Sequence, residues 1–74
     1  MLKFKAKFYN EKTGRLLEAV TVNGKPIEQG ERIPNVADLA LAIVTRVEPA
    51  RPKAATRRGM PVQKVWVRDW FEAA

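Results

Sequence analysis

The chain has 74 residues, 46% of them hydrophobic, and a formal net charge of +6, which is enough material for one small domain but not for two cores. It contains no cysteine, histidine or serine, which excludes disulfides, sulfur-based zinc sites and the usual nucleophile–base pairs of hydrolases. We therefore expect a non-enzymatic protein with no cofactor, no metal site and no membrane-spanning segment, located in a reducing, cytoplasmic compartment.

The N-terminal segment is predicted to form a β-hairpin. In "LKFKAKFYN", residues 2–10, apolar side chains alternate with three lysines and a tyrosine, and this period of two is typical of a half-buried strand. The turn sequence "NEKTG" leads into a second strand, "RLLEAVTVN", which is apolar on both faces. The polar face of the first strand would carry a secondary basic stripe, formed by Lys3, Lys5 and Lys7.

The next segment, "VNGKPIEQGERIP", residues 22–34, predicts a short edge strand or an ordered loop, because its proline cannot donate a ladder hydrogen bond. Its first twelve residues resemble the turn-rich β segment that ends ribosomal S4-like RNA-binding domains. In that family paired basic helices precede this segment, whereas two predicted strands precede it here. No residue role is carried over from the resemblance.

A helix is predicted over about residues 36–47. Asn35 stands at an N-cap position, and Asp38 would lie near the positive end of the helix dipole. Apolar residues then recur at spacings of three and four, and Pro49 would end the helix. These apolar residues are Val36, Leu39, Ala40, Ile43, Val44 and Val47.

The C-terminal segment "VQKVWVRDWF" is rich in β-branched and aromatic residues and predicts a long strand, after which Asp69 would cap a last helical turn, "WFEAA". The element order is then β-β-(β)-α-β. This order predicts a single α+β domain over residues 1–74, with an antiparallel or mixed sheet of three to four strands and one helix packed on one face.

The excess positive charge is concentrated in one part of the chain. Residues 49–68 hold six basic and no acidic side chains, while the rest of the chain is nearly neutral. Much of this excess falls in a Pro- and Ala-rich stretch, about 49–61, that is predicted to be a flexible basic loop. Such a loop serves either as a binding arm for phosphates or carboxylates or as a solvated linker. Its candidate binding residues are Arg51, Lys53, Arg57 and Arg58.

A second candidate surface lies on the last predicted strand. Alternation places Lys64, Trp66 and Arg68 on one face. A surface that binds single-stranded nucleic acid needs an aromatic ring to stack a base and basic residues around it to contact phosphates. The alternative for the tryptophan is a place in the core or in a protein interface. The alternative for the lysine stripe is protection of an edge strand.

Three hypotheses follow from these patterns. The first is a small basic protein that contacts DNA or RNA through the basic loop and the aromatic strand face. The second is a protein-binding inhibitor or adaptor, such as a phage or bacterial accessory protein that blocks a host complex by engaging an acidic surface. The third is a homodimer formed through a sheet edge, indicated by the apolar residues on both faces of the second strand.

Overall fold

The computed structural model describes residues 3–49, 51–52 and 61–73, and these residues fold almost entirely as β-sheet. The sheet curls into a half-barrel of mixed strands. A single helical turn among the described residues, α1, follows the last strand. The strands are β1 (Lys3–Asn10), β2 (Leu16–Asn23), β3 (Arg32–Val36), β4 (Leu39–Val47), β5 (Arg51–Pro52) and β6 (Pro61–Asp69), and α1 is Trp70–Ala73.

The strand order within the described sheet is β2-β1-β6-β4-β3, with the short β5 pairing to β6 as well. The pair β1–β6 is parallel, while the other pairs are antiparallel. The C-terminal strand is thus inserted between β1 and β4 and occupies the centre of the sheet. Strands β2 and β3 form its two edges.

The predicted N-terminal hairpin is confirmed. The side-chain oxygen of Asn10 accepts hydrogen bonds from the backbone N–H groups of Lys12 (2.8 Å) and Thr13 (3.3 Å). Gly14 has a φ of 75°, a left-handed conformation that glycine adopts without a steric penalty. Turn chemistry read from "NEKTG" therefore acts as the sequence predicts.

The predicted helix over 36–47 is wrong, because the chain forms β3, a tight turn and β4 there. Asn35 within β3 and Ala37 in the turn have positive φ values of 56° and 52°, a left-handed conformation that does not start a right-handed helix. Strand β4 carries apolar residues on both faces, and such a run matches a helical spacing as well as a strand. Its β-branched residues favour the strand.

This correction changes the predicted fold class. The described residues form a mixed sheet of five main strands, with the two-residue β5 paired to β6, curled into a half-barrel. There is essentially no helix among them, so the predicted α+β sheet with one packed helix is wrong. Of segment 22–34, predicted as a short edge strand or an ordered loop, residues 24–31 form a connection and residues 32–34 begin the edge strand β3. Pro34 is tolerated there because an edge strand leaves one side of its backbone unpaired.

The predicted C-terminal strand and the helical turn that follows it are both confirmed. Residues 61–69 form β6, and the Asp69 carboxylate accepts a hydrogen bond from the N–H of Phe71 at 3.0 Å. The helix that follows has only four residues. Among the described residues, no helix is long and apolar enough to cross a membrane.

The core lies on the concave inner face of the sheet. Large apolar residues of β1 meet valines of β6 and β4 there, because alternate residues of each strand point to the same side. Burial of these side chains supplies the main driving force for folding. The buried apolar residues are Phe4, Ala6, Phe8, Val36, Ala42, Val44, Val65 and Val67.

One polar side chain is buried with them. Gln63 is 1% exposed, and its amide forms two hydrogen bonds with the backbone of Ile27. The Ile27 N–H donates to the Gln63 Oε1 at 2.9 Å, and the Gln63 Nε2 donates to the Ile27 carbonyl at 2.8 Å. This pair fastens the β2–β3 connection over the inner face, where Ile27 packs on the core.

Only part of the predicted flexible basic loop, about 49–61, falls within the described residues. Residues 51–52 form β5, in which Arg51 pairs with Val62 and Pro52 with Pro61. Lys53, Arg57 and Arg58 lie outside the described residues.

Candidate nucleic-acid interface

The parallel pairing of β1 with β6 brings two separate sequence features onto one surface. In this register Lys7 lies opposite Lys64, and Tyr9 lies opposite Trp66. These residues alternate with the buried ones, so they lie on the convex outer face of the sheet. The basic stripe of the first strand therefore meets the aromatic and basic face of the last.

A row of stacked side chains crosses the centre of this outer face. The rings of Tyr9 and Trp66 stack with centroids 5.7 Å apart and an angle of 26° between their planes. On the other side of Trp66, the guanidinium carbon of Arg46 lies 3.9 Å from the ring centroid, a distance typical of a cation–π contact. We call Tyr9, Trp66 and Arg46 the aromatic row.

A β-bulge in β4 places Arg46 in this row. The register of β4 against β6 shifts between Val44 and Arg46, so that Thr45 is the extra residue. The Thr45 hydroxyl donates to the Trp66 carbonyl at 3.3 Å. Regular alternation would turn Arg46 toward the core, and the bulge instead directs its side chain to the outer face.

Beside the aromatic row lies a group of ammonium side chains, which we call the lysine cluster. Successive members on β1 are about 7 Å apart along the strand, and neighbouring strands are separated by about 4.8 Å. Glu48 borders the cluster, since its N–H donates to the Lys64 carbonyl at 3.0 Å. The members are Lys3, Lys5, Lys7 and Lys64, of which Lys7 is half-buried and the others are exposed.

Arg68 extends the face but is partly neutralised. Its Nε lies 3.3 Å from the Glu11 carboxylate, with the two side chains 39% and 41% exposed. An ion pair this exposed contributes about 0–1 kcal/mol, so either partner can be drawn away by a ligand. Nearby, the Arg32 guanidinium lies 5.3 Å from the Trp70 ring centroid, which adds a second pair of a cation and an aromatic ring.

The candidate residues predicted from sequence are therefore placed unequally. Lys64, Trp66 and Arg68 share the outer face, and the secondary stripe Lys3, Lys5 and Lys7 adjoins them. Arg51 belongs to β5, opposite Val62. The other loop candidates, Lys53, Arg57 and Arg58, lie outside the described residues.

Sequence reasoning missed two members of the face. Tyr9 continues the alternation of the three lysines in "LKFKAKFYN", so its side could be read from the pattern, but its partner Trp66 could not. Arg46 was assigned to a helix, and its place depends on a bulge that has no signature in the sequence.

Comparisons with protein-family models, curated proteins and solved structures found no match. The geometry of the outer face is therefore the basis for a functional proposal. Among the described residues, no group of three or more aspartates and glutamates is placed to hold a metal ion.

Proposed function

We propose that this protein binds single-stranded nucleic acid on the outer face, without catalysis. The lysine cluster contacts phosphates, and the aromatic row stacks with bases. The observation that carries this proposal is the register of β1 against β6, which pairs Lys7 with Lys64 and Tyr9 with Trp66. Charge and aromatic surface are thereby adjacent, as single-strand binding requires.

The opposition of Lys7 and Lys64 supports an anionic ligand. Like charges directly opposite each other on neighbouring strands repel one another, and Lys7 and Lys64 occupy such positions on β1 and β6. A phosphate between the two ammonium groups replaces their repulsion with two attractive contacts. Contacts of this kind release counterions from the nucleic acid and make affinity fall as salt rises.

The aromatic row supports unpaired bases as the second part of the ligand. In the free protein Arg46 covers one face of Trp66, and Tyr9 covers the other. An exposed cation–π contact is worth about 0.5–1 kcal/mol, whereas stacking a base on an aromatic ring is worth about 1–3 kcal/mol. A base that replaces the guanidinium therefore gains free energy, and Arg46 becomes available for a phosphate.

A convex sheet face also favours single strands over duplexes. Bases in a duplex are stacked on one another and present only their edges in the grooves, so they cannot reach Trp66 or Tyr9. Unpaired bases can turn onto the sheet.

The absence of cysteine supports the proposed cytoplasmic location, since reducing compartments do not use disulfides.

Fluorescence anisotropy tests the proposal directly. Labelled oligothymidine of about 12 nucleotides, within the usual site size, and a duplex of equal length are titrated at roughly 50 and 200 mM salt. We expect tighter binding to the single strand, and weaker binding at the higher salt.

The decisive variant is Lys7→Gln with Lys64→Gln, and its matched control is Lys12→Gln with Lys25→Gln. Both remove two positive charges, but Lys12 lies in the hairpin turn, where it pairs with Glu72 at 3.4 Å, and Lys25 lies in the β2–β3 connection. We expect the first pair to weaken binding at least about tenfold and the control to have a small effect. Equal losses would contradict the proposed face, and flat curves for every nucleic acid would leave the protein-binding alternative.

A further inference from the structure

The two edges of the sheet are built differently. Strand β3 has five residues, among them Pro34 and the charged Arg32, and Asn35 distorts it with a positive φ. Proline, charge and shortness are the devices by which proteins prevent edge strands from pairing. Strand β3 is thus protected against a further strand.

Strand β2 has such devices only in its first three residues, namely a bulge at Leu17 and the inward-facing Glu18. It has eight residues without proline or a basic side chain, and Glu18 is its one charged residue. A bulge at Leu17 affects only its beginning, since the register with β1 runs unbroken from Glu18 to Asn23. Among the described residues, no backbone group forms a hydrogen bond with the free edge of β2, the edge that faces away from β1.

The apolar residues of β2 are also incompletely covered. Leu17, Val20 and Val22 pack against the core from the edge but remain only partly buried, and Leu16 is 54% exposed. A long, nearly uncharged edge of this kind is a template for another strand. A strand placed there would satisfy the free backbone groups and extend the apolar layer.

We infer that β2 pairs antiparallel with β2 of a second copy of this chain, so that the protein forms a two-fold symmetric dimer with one continuous sheet. A second copy fits because an isologous contact requires only a self-complementary patch. On the inner side, Val20 would lie opposite either Val20 or Val22 of the second copy, according to the register. Glu18 is the single charge that each β2 brings to the contact.

Symmetry restricts the pairing. A two-fold axis between antiparallel strands stands perpendicular to the sheet, so inner residues face inner residues and outer residues face outer ones. The axis can then pass beside Val20 or beside Thr21, so that this residue lies opposite the same residue of the second copy. A register halfway between the two would place inner residues opposite outer ones and is excluded. In both arrangements the two outer faces point the same way.

Salt separates this inference from the proposed function. The two copies of β1 would be about 14 Å apart, three strand spacings, and their lysines repel one another at low salt. This separation exceeds the Debye length of about 8 Å at physiological ionic strength, so salt screens the repulsion between the lysines. Higher salt should therefore strengthen dimerisation. Salt weakens binding to nucleic acid, so each idea can fail without the other.

Sedimentation equilibrium of the free, full-length protein, at roughly 50 and 200 mM salt, tests the dimer. We expect a mass that rises with concentration toward two chains, and a larger dimer fraction at the higher salt. The variant Ala19→Lys with Thr21→Lys places four lysines across the axis and should give a monomer. Its matched control, Thr13→Lys with Gln29→Lys, adds the same charge in exposed turns and should remain a dimer. A monomeric wild-type protein at every concentration would overturn the inference, as would equal dimerisation of both variants.

Single cysteines test the register, because the natural chain has none. Directly opposed residues of antiparallel strands have Cα atoms about 4.5–5.5 Å apart, which suits a disulfide. Under mild oxidation, either Val20→Cys or Thr21→Cys should form a covalent dimer at least about tenfold faster than Thr13→Cys in the hairpin turn. Equal rates for all three would contradict the proposed contact, even if the protein associates.

Discussion

The two faces of β6 have opposite properties although they are made by the same nine residues. On the inner face Gln63, Val65 and Val67 are at most 1% exposed. On the outer face Lys64 is exposed, and Trp66 is half-buried between a tyrosine and an arginine. Neighbouring residues of one strand therefore serve stability on one side and, we propose, binding on the other.

The stability of the protein and its affinity for nucleic acid should therefore depend on different residues of the same strand. Substitutions on the inner face should lower the free energy of unfolding, and those on the outer face should change affinity for nucleic acid with little loss of stability. A variant that moves both quantities together would break the comparison.

The largest effect is expected on the inner face of β1. Phe4 is fully buried, and Phe4→Ala should lower the free energy of unfolding by about 3–5 kcal/mol, because it removes a large apolar contact and leaves a cavity. Since a chain of this length has a total stability of roughly 4–11 kcal/mol, much of the protein should unfold. Urea unfolding followed by tryptophan fluorescence measures this, and Lys5→Ala on the opposite face should shift stability by less than about 0.5 kcal/mol.

The next largest effect is expected at Gln63. The variant Gln63→Ala leaves the N–H and the carbonyl of Ile27 without their partners, and each unsatisfied buried group costs about 1–3 kcal/mol. We expect a loss of about 2–4 kcal/mol in the same urea experiment, with Gln29→Ala in an exposed turn as the control. A loss no greater than that of the control would show that the β2–β3 connection is not held by this amide.

On the outer face, Trp66→Leu should weaken binding to oligothymidine by about 5–150-fold, which corresponds to about 1–3 kcal/mol for one stacked base. The leucine keeps an apolar side chain beside Tyr9 but offers no ring. Phe71→Leu removes an exposed aromatic ring outside the aromatic row and should change the affinity little. Equal weakening by both changes, measured by anisotropy, would contradict the role of the row.

The smallest effect is expected in the β3–β4 turn. Ala37 has a φ of 52°, a conformation that costs a residue with a Cβ about 1–2 kcal/mol. Ala37→Gly removes this strain but adds freedom to the unfolded chain, so we expect a net gain of about 0.5 kcal/mol. This gain should raise the melting temperature by about 2–4 °C. A lower melting temperature would show that the alanine is not strained.

Local patterns predicted local structure well. The alternation in "LKFKAKFYN" gave the correct faces of β1, and "NEKTG" gave its turn. Segment 36–47 was wrongly predicted to be a helix, because a strand with apolar residues on both faces also produces the helical spacing. The difference depends on tertiary packing, which a local pattern does not contain.

Only parts of the candidate site were predicted from the sequence. Alternation placed Lys64, Trp66 and Arg68 together, but no local signal indicated that β1 and β6 are neighbours. Their parallel pairing joins the two ends of the chain across the sheet, and it alone brings Tyr9 to Trp66. Arg46 could not be found, since a bulge reverses the direction of its side chain.

The salt dependence of binding shows whether the paired lysines of the outer face contact phosphates. For oligothymidine, the logarithm of affinity should fall linearly with the logarithm of salt concentration, and each phosphate contact on a single strand contributes about 0.7 to the slope. In Lys7→Gln with Lys64→Gln, the slope should be shallower by about 1.4, with no loss in the free energy of unfolding. An unchanged slope in that variant would show that the paired lysines do not contact phosphates and would contradict the proposed face.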